Sequence, residues 1–290
     1  MRYGLGMVLV VAAGVVWSTQ GLIFRQIDTA GTWAVLFWRS VGMVPVLLAF
    51  LIWRAGGSPL PAIRKVGLAG AMGGLGLVGA FAGAIYSIQI TTIANAVFLF
   101  AASPFLTALL GWMVLGERVR LETWAAMGVA LAGIYVMVSS DLTGGAMAGN
   151  VAALLSALGF AVFTVSLRWR KLEDTLPSVL LGGLFSIVVG AVVAQALGQT
   201  LAVPMADAGW AMMMGAVTLT GGMVLYTLGS RVVPAAELAL LSNIEVMLAP
   251  LWVWLFLNET ASTATFIGGA ILLVAVIMNG LSGARRMARA

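Results

Sequence analysis

Five side chains stand out as charged or amidic within long apolar stretches: Arg39, Asn95, Glu237, Asn243 and Glu245, with Gln20 and several hydroxyls behind them. Exposing such a group to hydrocarbon is expensive, so each is expected to face a cavity, another helix or a partner charge. Glu245, about one turn before Pro250, suits binding of a substrate amino group or carriage of a proton. A structural hydrogen bond or ion pair between helices is the competing reading. Glu237 and Asn95 fall near opposite sides of the membrane, cytoplasmic and external, as if lining opposite mouths of one cavity; for Glu237, reaching out to the interface is the alternative. Arg39 suits a carboxylate, from a solute or a glutamate, or it snorkels outward.

Aromatic residues at comparable depth are Trp17, Trp38, Tyr86, Phe98, Phe100, Phe163 and Tyr226. Rings lining a cavity would suit an apolar or aromatic solute, with Trp or Tyr adding one polar contact, although most membrane aromatics pack or form interfacial belts. Trp33, Trp53, Trp124, Trp169 and Trp210 read as belt residues. The substrate-binding candidates are Trp17, Ser18, Trp38, Tyr86, Asn95, Phe98, Phe163, Tyr226, Glu237, Asn243 and Glu245. Pro104 and Pro250 each free a backbone carbonyl and are candidate hinges, while Gly70, Gly74, Gly79 and Gly83 have the small-residue spacing of close helix packing.

These residues are carried by elements that only lipid can solvate. Of 290 residues, 62% are hydrophobic and 9% charged, against about a quarter charged in a soluble domain, and the mean hydropathy is +1.08. Spans of membrane-crossing length are expected near Gly4–Phe24, Trp33–Trp53, Val66–Ile88, Ile93–Leu115, Thr123–Ser140, Ala148–Leu167, Leu176–Leu197, Trp210–Ser230, Val233–Leu257 and Thr263–Leu281. Met1 to Gly14 has the makings of a signal peptide, but its apolar run continues to Phe24 and reads as the first span.

Charge assigns the sides. With the N-terminus taken as cytoplasmic, Arg2, Arg54, Arg64, Lys65, Arg118, Arg120, Arg168, Arg170, Lys171, Arg231, Arg285, Arg286 and Arg289 fall on one side and Arg25 alone on the other. That asymmetry predicts both termini in the cytoplasm and an even span count. Anionic lipid headgroups account for the basic residues, so no nucleic-acid partner is expected. The absence of Cys and His excludes thiolate and imidazole metal sites and Ser-His triads. With no phosphate loop or nucleotide fingerprint either, no catalytic residue, metal or cofactor is expected, and the chain reads as a non-enzyme.

Shifting the sequence by 142 lays Trp112, Leu115 and Glu117 over Trp254, Leu257 and Glu259, each set closing a proline-containing helix. Five spans per half is odd, so the halves, residues 1–141 and 142–290, would insert in opposite senses, a common build for secondary carriers. The stretches NAVFLFAASPFLTALLGWMVLGERV (95–119) and AELALLSNIEVMLAPLWVWLFLNET (236–260), with GVVWSTQGLIFR (14–25), resemble the EamA type of the drug/metabolite transporter superfamily. Within it the chain looks most like the YddG-type exporters of aromatic and other amino acids. One departure is Asn258 where the first half has Gly116.

The resemblance implies an all-α polytopic membrane protein of ten helices, built as two inverted five-helix repeats around a central cavity. It further implies a bacterial inner-membrane exporter of amino acids, neutral-biased, or related metabolites, working as a monomer by alternating access. A drug or other metabolite exporter on the same scaffold, or a channel, is the alternative. Against a channel, the intramembrane polar residues are scattered and form no repeated rings.

Overall fold

The computed structural model of the protein describes residues 3–139, 144–172, 174–230, 232, 233, 241 and 244–287. Among these there is no strand. The helices are α1 (Tyr3–Phe24), α2 (Thr32–Ala55), α3 (Leu60–Ile90), α4 (Ile93–Leu115), α5 (Leu121–Ser139), α6 (Met147–Trp169), α7 (Leu176–Ala196), α8 (Met205–Gly229), α9 (Ile244–Leu257) and α10 (Thr263–Ser282). Nine are long and apolar enough to cross a membrane, and α9 is a shorter apolar helix whose expected first turns lie outside the described residues. The chain is a multi-pass membrane protein.

Two boundaries depart from expectation for local reasons. Helix α3 begins at Leu60 with Pro61 in its first turn, and Gly67 (φ +50°) breaks it next to the expected start at Val66. The extra turns carry Arg64 and Lys65. Helix α8 begins at Met205 directly after Pro204, where a proline cannot extend a helix backward without forfeiting a donor.

Three further spans are interrupted. In α1, Ser18 and Thr19 turn their hydroxyls back onto the Val15 and Val16 carbonyls, both at 2.7 Å, and the helix breaks at Thr19. Helix α4 breaks at Ala101–Ala102, so Pro104 falls in the first turn of the following segment, Ser103–Leu115, where its missing N–H costs no hydrogen bond. Helix α8 opens into a π-helical segment over Met214–Gly221. Pro250, by contrast, stands inside α9.

Helix α3 packs along α6 and α7, α8 along α1 and α2, α6 against α4, α1 against α9, α2 against α7, and α5 against α10. This set of contacts maps onto itself when each helix of the first five is exchanged with the one five places later. Backbone approach is close at the crossings. A Cβ on Gly76 would lie 2.7 Å from the Gly159 carbonyl oxygen, and one on Gly133 would lie 2.6 Å from that of Gly268.

The ends of α4 and α9 match in detail. Gly116 and Asn258, 142 residues apart, both adopt left-handed backbone, φ +66° and +52°. The next N–H in each case, Glu117 or Glu259, donates to the carbonyl six residues back, Gly111 or Val253, at 3.2 Å, so both helices close around a left-handed residue. Asparagine tolerates this conformation better than other side chains, which accounts for the departure at Asn258.

Candidate functional site

The two glutamates that follow these helix ends each meet an arginine from the other half of the chain. Glu259 Oε2 accepts from Arg25 Nε at 2.8 Å, while its Oε1 accepts the Ile93 N–H at 2.7 Å. Arg25 Nη1 and Nη2 donate to the Ile88 carbonyl at 2.9 Å and the Thr91 carbonyl at 3.1 Å. One cluster thus ties α1, α9, the end of α3 and the start of α4. Glu117 Oε2 accepts from Arg168 Nη2 at 2.5 Å, joining α4 to α6. Glu117 and Glu259 are 142 apart, Arg25 and Arg168 are 143 apart, and the glutamates follow the matching ends of α4 and α9.

The pairs differ in burial. Exposure is 28% and 17% for Arg25 and Glu259, but 46% and 34% for Arg168 and Glu117. An open cleft of about 210 Å³ lies beside the second pair, lined by Ala108, Glu117, Arg118, Val119, Arg120, Thr123, Arg168 and Asn279. The Arg25 end carries further ties. Asp207, buried at the start of α8, accepts the Asp28, Thr29 and Ala30 N–H groups and the Thr29 hydroxyl, and Trp38 Nε1 donates to the Leu201 carbonyl at 2.9 Å.

Of the expected site residues, Trp17, Ser18 and Tyr226 come together around α1. The Trp17 and Tyr226 rings stand 5.6 Å apart, and Trp17 Nε1 points to the Leu219 carbonyl in the π segment at 3.5 Å. Gly222 makes room for the indole, since a Cβ there would fall 2.1 Å from Nε1. Ser18 Oγ accepts from Trp252 Nε1 at 2.8 Å. Glu245 adjoins the group because α9 lies against α1 at Gly14, one turn before Trp17, with the Glu245 nitrogen 3.7 Å from where a Cβ on Gly14 would stand. It is half-buried, and no ion pair to it exists among the described residues.

The others lie elsewhere. Asn95 is buried and donates to Asn150 Oδ1 and, at 3.1 Å, to Thr91 Oγ1, fastening α4 to α6. Phe98 packs on Gly269 of α10, and Phe163 packs near Gly73 and Gly76 of α3. Tyr86 is 41% exposed. Glu237 and Asn243 lie outside the described residues. Arg39 does not snorkel: it is 5% exposed, with its guanidinium 4.3 Å from the Phe81 ring centre. No group of three or more acidic, Cys or His side chains among the described residues could hold a metal ion.

Sequence reasoning passed over the partners of Glu117 and Glu259. The signal was present, since Arg25 and Arg168 close the first helix of each half, but their offset of 143 is one residue out of register with the glutamates. Asp207 gave no signal, because an acid just after a proline reads as a loop residue.

Residues 4–139 match the sequence model of the EamA-like transporter family. The pseudopaline exporter CntI of Pseudomonas aeruginosa is 26% identical over 94% of both chains. An uncharacterized transporter of Archaeoglobus fulgidus is 29% identical over 67% of this chain and 69% of its own. Human solute carrier family 35 member G1 is 22% identical over 94% of this chain and 77% of its own. A crystal structure at 18% identity superposes with a TM-score of 0.64 over 99% of both chains and shares the fold. The first half of the chain thus resembles the EamA-like transporter family, and nearly its whole length is similar to proteins named as transporters.

Proposed function

We propose that the protein is a secondary carrier that exports amino acids, aromatic and other neutral ones, or related metabolites across the bacterial inner membrane by alternating access. The carrying observation is the pair of Arg–Glu contacts between the halves, Arg25–Glu259 at one end and Glu117–Arg168 at its repeat-related counterpart. In an inverted repeat of residues 1–141 and 142–290, equivalent contacts fall on opposite membrane faces, so each can close one mouth of a shared cavity. Basic residues such as Arg64, Lys65, Arg118 and Arg170 mark the Glu117 face as cytoplasmic, with both termini there. The chain works as a monomer surrounded by lipid.

Trp17, Ser18 and Tyr226 supply an aromatic wall with polar edges, and Glu245 a carboxylate with no ion-pair partner among the described residues, for a substrate amino group or a coupled proton. Trp38, Tyr86, Asn95, Phe98, Phe163, Glu237 and Asn243 remain lining candidates, and Pro104 and Pro250 hinges. A second reading, another small metabolite on the same scaffold, is favoured by the pseudopaline exporter's similarity over nearly the full length.

Counterflow in proteoliposomes with a panel of labelled amino acids, with and without a pH gradient, tests the proposal. Saturable counterflow of at least one neutral amino acid is expected, with Glu245→Gln reducing it at least tenfold in a folded protein. Absence of counterflow across the panel would remove amino acids as substrates, and ohmic currents would favour a channel.

A further inference from the structure

Arg39 lies seven residues past Thr32, the first residue of α2, about 10 Å along the axis at the helical rise. A charge there can reach neither water nor headgroups while it stays buried. The ion pairs among the described residues use Arg25, Arg54 and Arg168, and Arg39 has none. Its Nε and Nη2 have no hydrogen-bond partner among the described residues. A ring face offsets only part of the cost of a desolvated cation.

The two unpaired nitrogens are adjacent, and together they form the side-on edge of the guanidinium that grips a carboxylate through two parallel hydrogen bonds. The Phe81 ring, 4.3 Å from Cζ, supports the group. A second unpaired donor stands at the same level. Ser186 of α7 is fully buried, and its hydroxyl has no partner among the described residues. It falls three residues after Gly183 and four before Gly190, which abut Met43 and Phe37 of α2, so the helical repeat turns it toward α2 between them. The backbone there is held in place, because α8 approaches so closely that a Cβ on Gly215 would lie 1.8 Å from the Arg39 carbonyl oxygen.

We propose that Arg39 is an anion subsite that binds the carboxylate of the transported solute side-on through Nε and Nη2. The carrier reading supplies only the identity of that solute; the subsite itself rests on the unpaired donors. Bound carboxylate would complete the guanidinium's hydrogen bonds and neutralise its charge inside the bundle.

The test is thermal unfolding of the detergent-purified protein titrated, at matched ionic strength, with L-phenylalanine, L-leucine and benzoate, each against its amide. In the wild type the carboxylates should stabilise at roughly ten- to a hundredfold lower concentration than the amides, the worth of a charged hydrogen-bonded contact. Arg39→Gln should erase that difference and Arg39→Lys should keep part of it. Should Arg39→Gln fail to fold, Arg39→Met, which fills the volume without a charge, takes its place. No carboxylate preference in the wild type, or the same preference without Arg39, overturns the subsite. Carboxylate preference without amino-acid counterflow would keep the subsite and reject the amino-acid reading.

Discussion

An Arg–Glu contact contributes according to its burial and its remaining hydrogen bonds, and the two in this protein differ in both. The Arg25–Glu259 pair is mostly buried and is completed by two backbone carbonyls and one backbone N–H. Removing Arg25 strands the Glu259 carboxylate and the two carbonyls. Charged hydrogen bonds of this kind contribute about 1.5–3 kcal/mol, so Arg25→Ala is expected to destabilise by at least that much. The Glu117–Arg168 pair is exposed on both sides and makes a single contact, which places it in the range of about 0–1 kcal/mol for surface ion pairs. Thermal unfolding of Arg25→Ala and Glu117→Gln in the same detergent checks the order; equal midpoints would contradict the burial argument.

Helices are the elements here, and how closely they approach is set by residues without side chains. At Gly215 an added Cβ would fall 1.8 Å from the Arg39 oxygen, whereas at Gly79 nothing lies within 4 Å. Gly215→Ala should therefore push α8 off α2 and lower the yield of folded protein, while Gly79→Ala should be neutral or stabilise by up to about 1 kcal/mol through helix propensity. A midpoint shift of the same sign and size for both would show that propensity, not approach, governs these positions. The same contrast explains what could be read from sequence. Apolar length located the helices and a Trp-x-x-Leu-x-Glu ending related α4 to α9, because both are local patterns. Arg25 and Glu259 are 234 residues apart, and no local pattern relates them. Trp17 meeting Tyr226, and Asn95 meeting Asn150, likewise depend on which helix faces which. The burial of Arg39 against Phe81 overturns the outward snorkelling that its depth in the second helix favours at the sequence level.

At the scale of the whole molecule, the ends are tied unequally. Around Arg25, the Glu259 cluster, the Asp207 carboxylate on residues 28–30 and the Trp38 bond to Leu201 fasten α1, α2, α3, α4, α8 and α9. The opposite end has an exposed Arg168–Glu117 pair beside an open cleft. If the halves rock about a shared site, the two ends must open in turn, and the Glu117 end should open at lower cost. The protein contains no cysteine, so paired cysteines can be placed without background. Crosslinking positions 25 and 259, or 117 and 168, with a thiol reagent as long as the side chains it replaces should abolish counterflow in either case, and reduction should restore it. Before crosslinking, the 117/168 variant should transport nearly as well as wild type, since it loses only the weaker contact. Undiminished counterflow with either end tied shut would mean that the solute does not need both mouths to open, and the two halves would then be a static frame rather than a moving one.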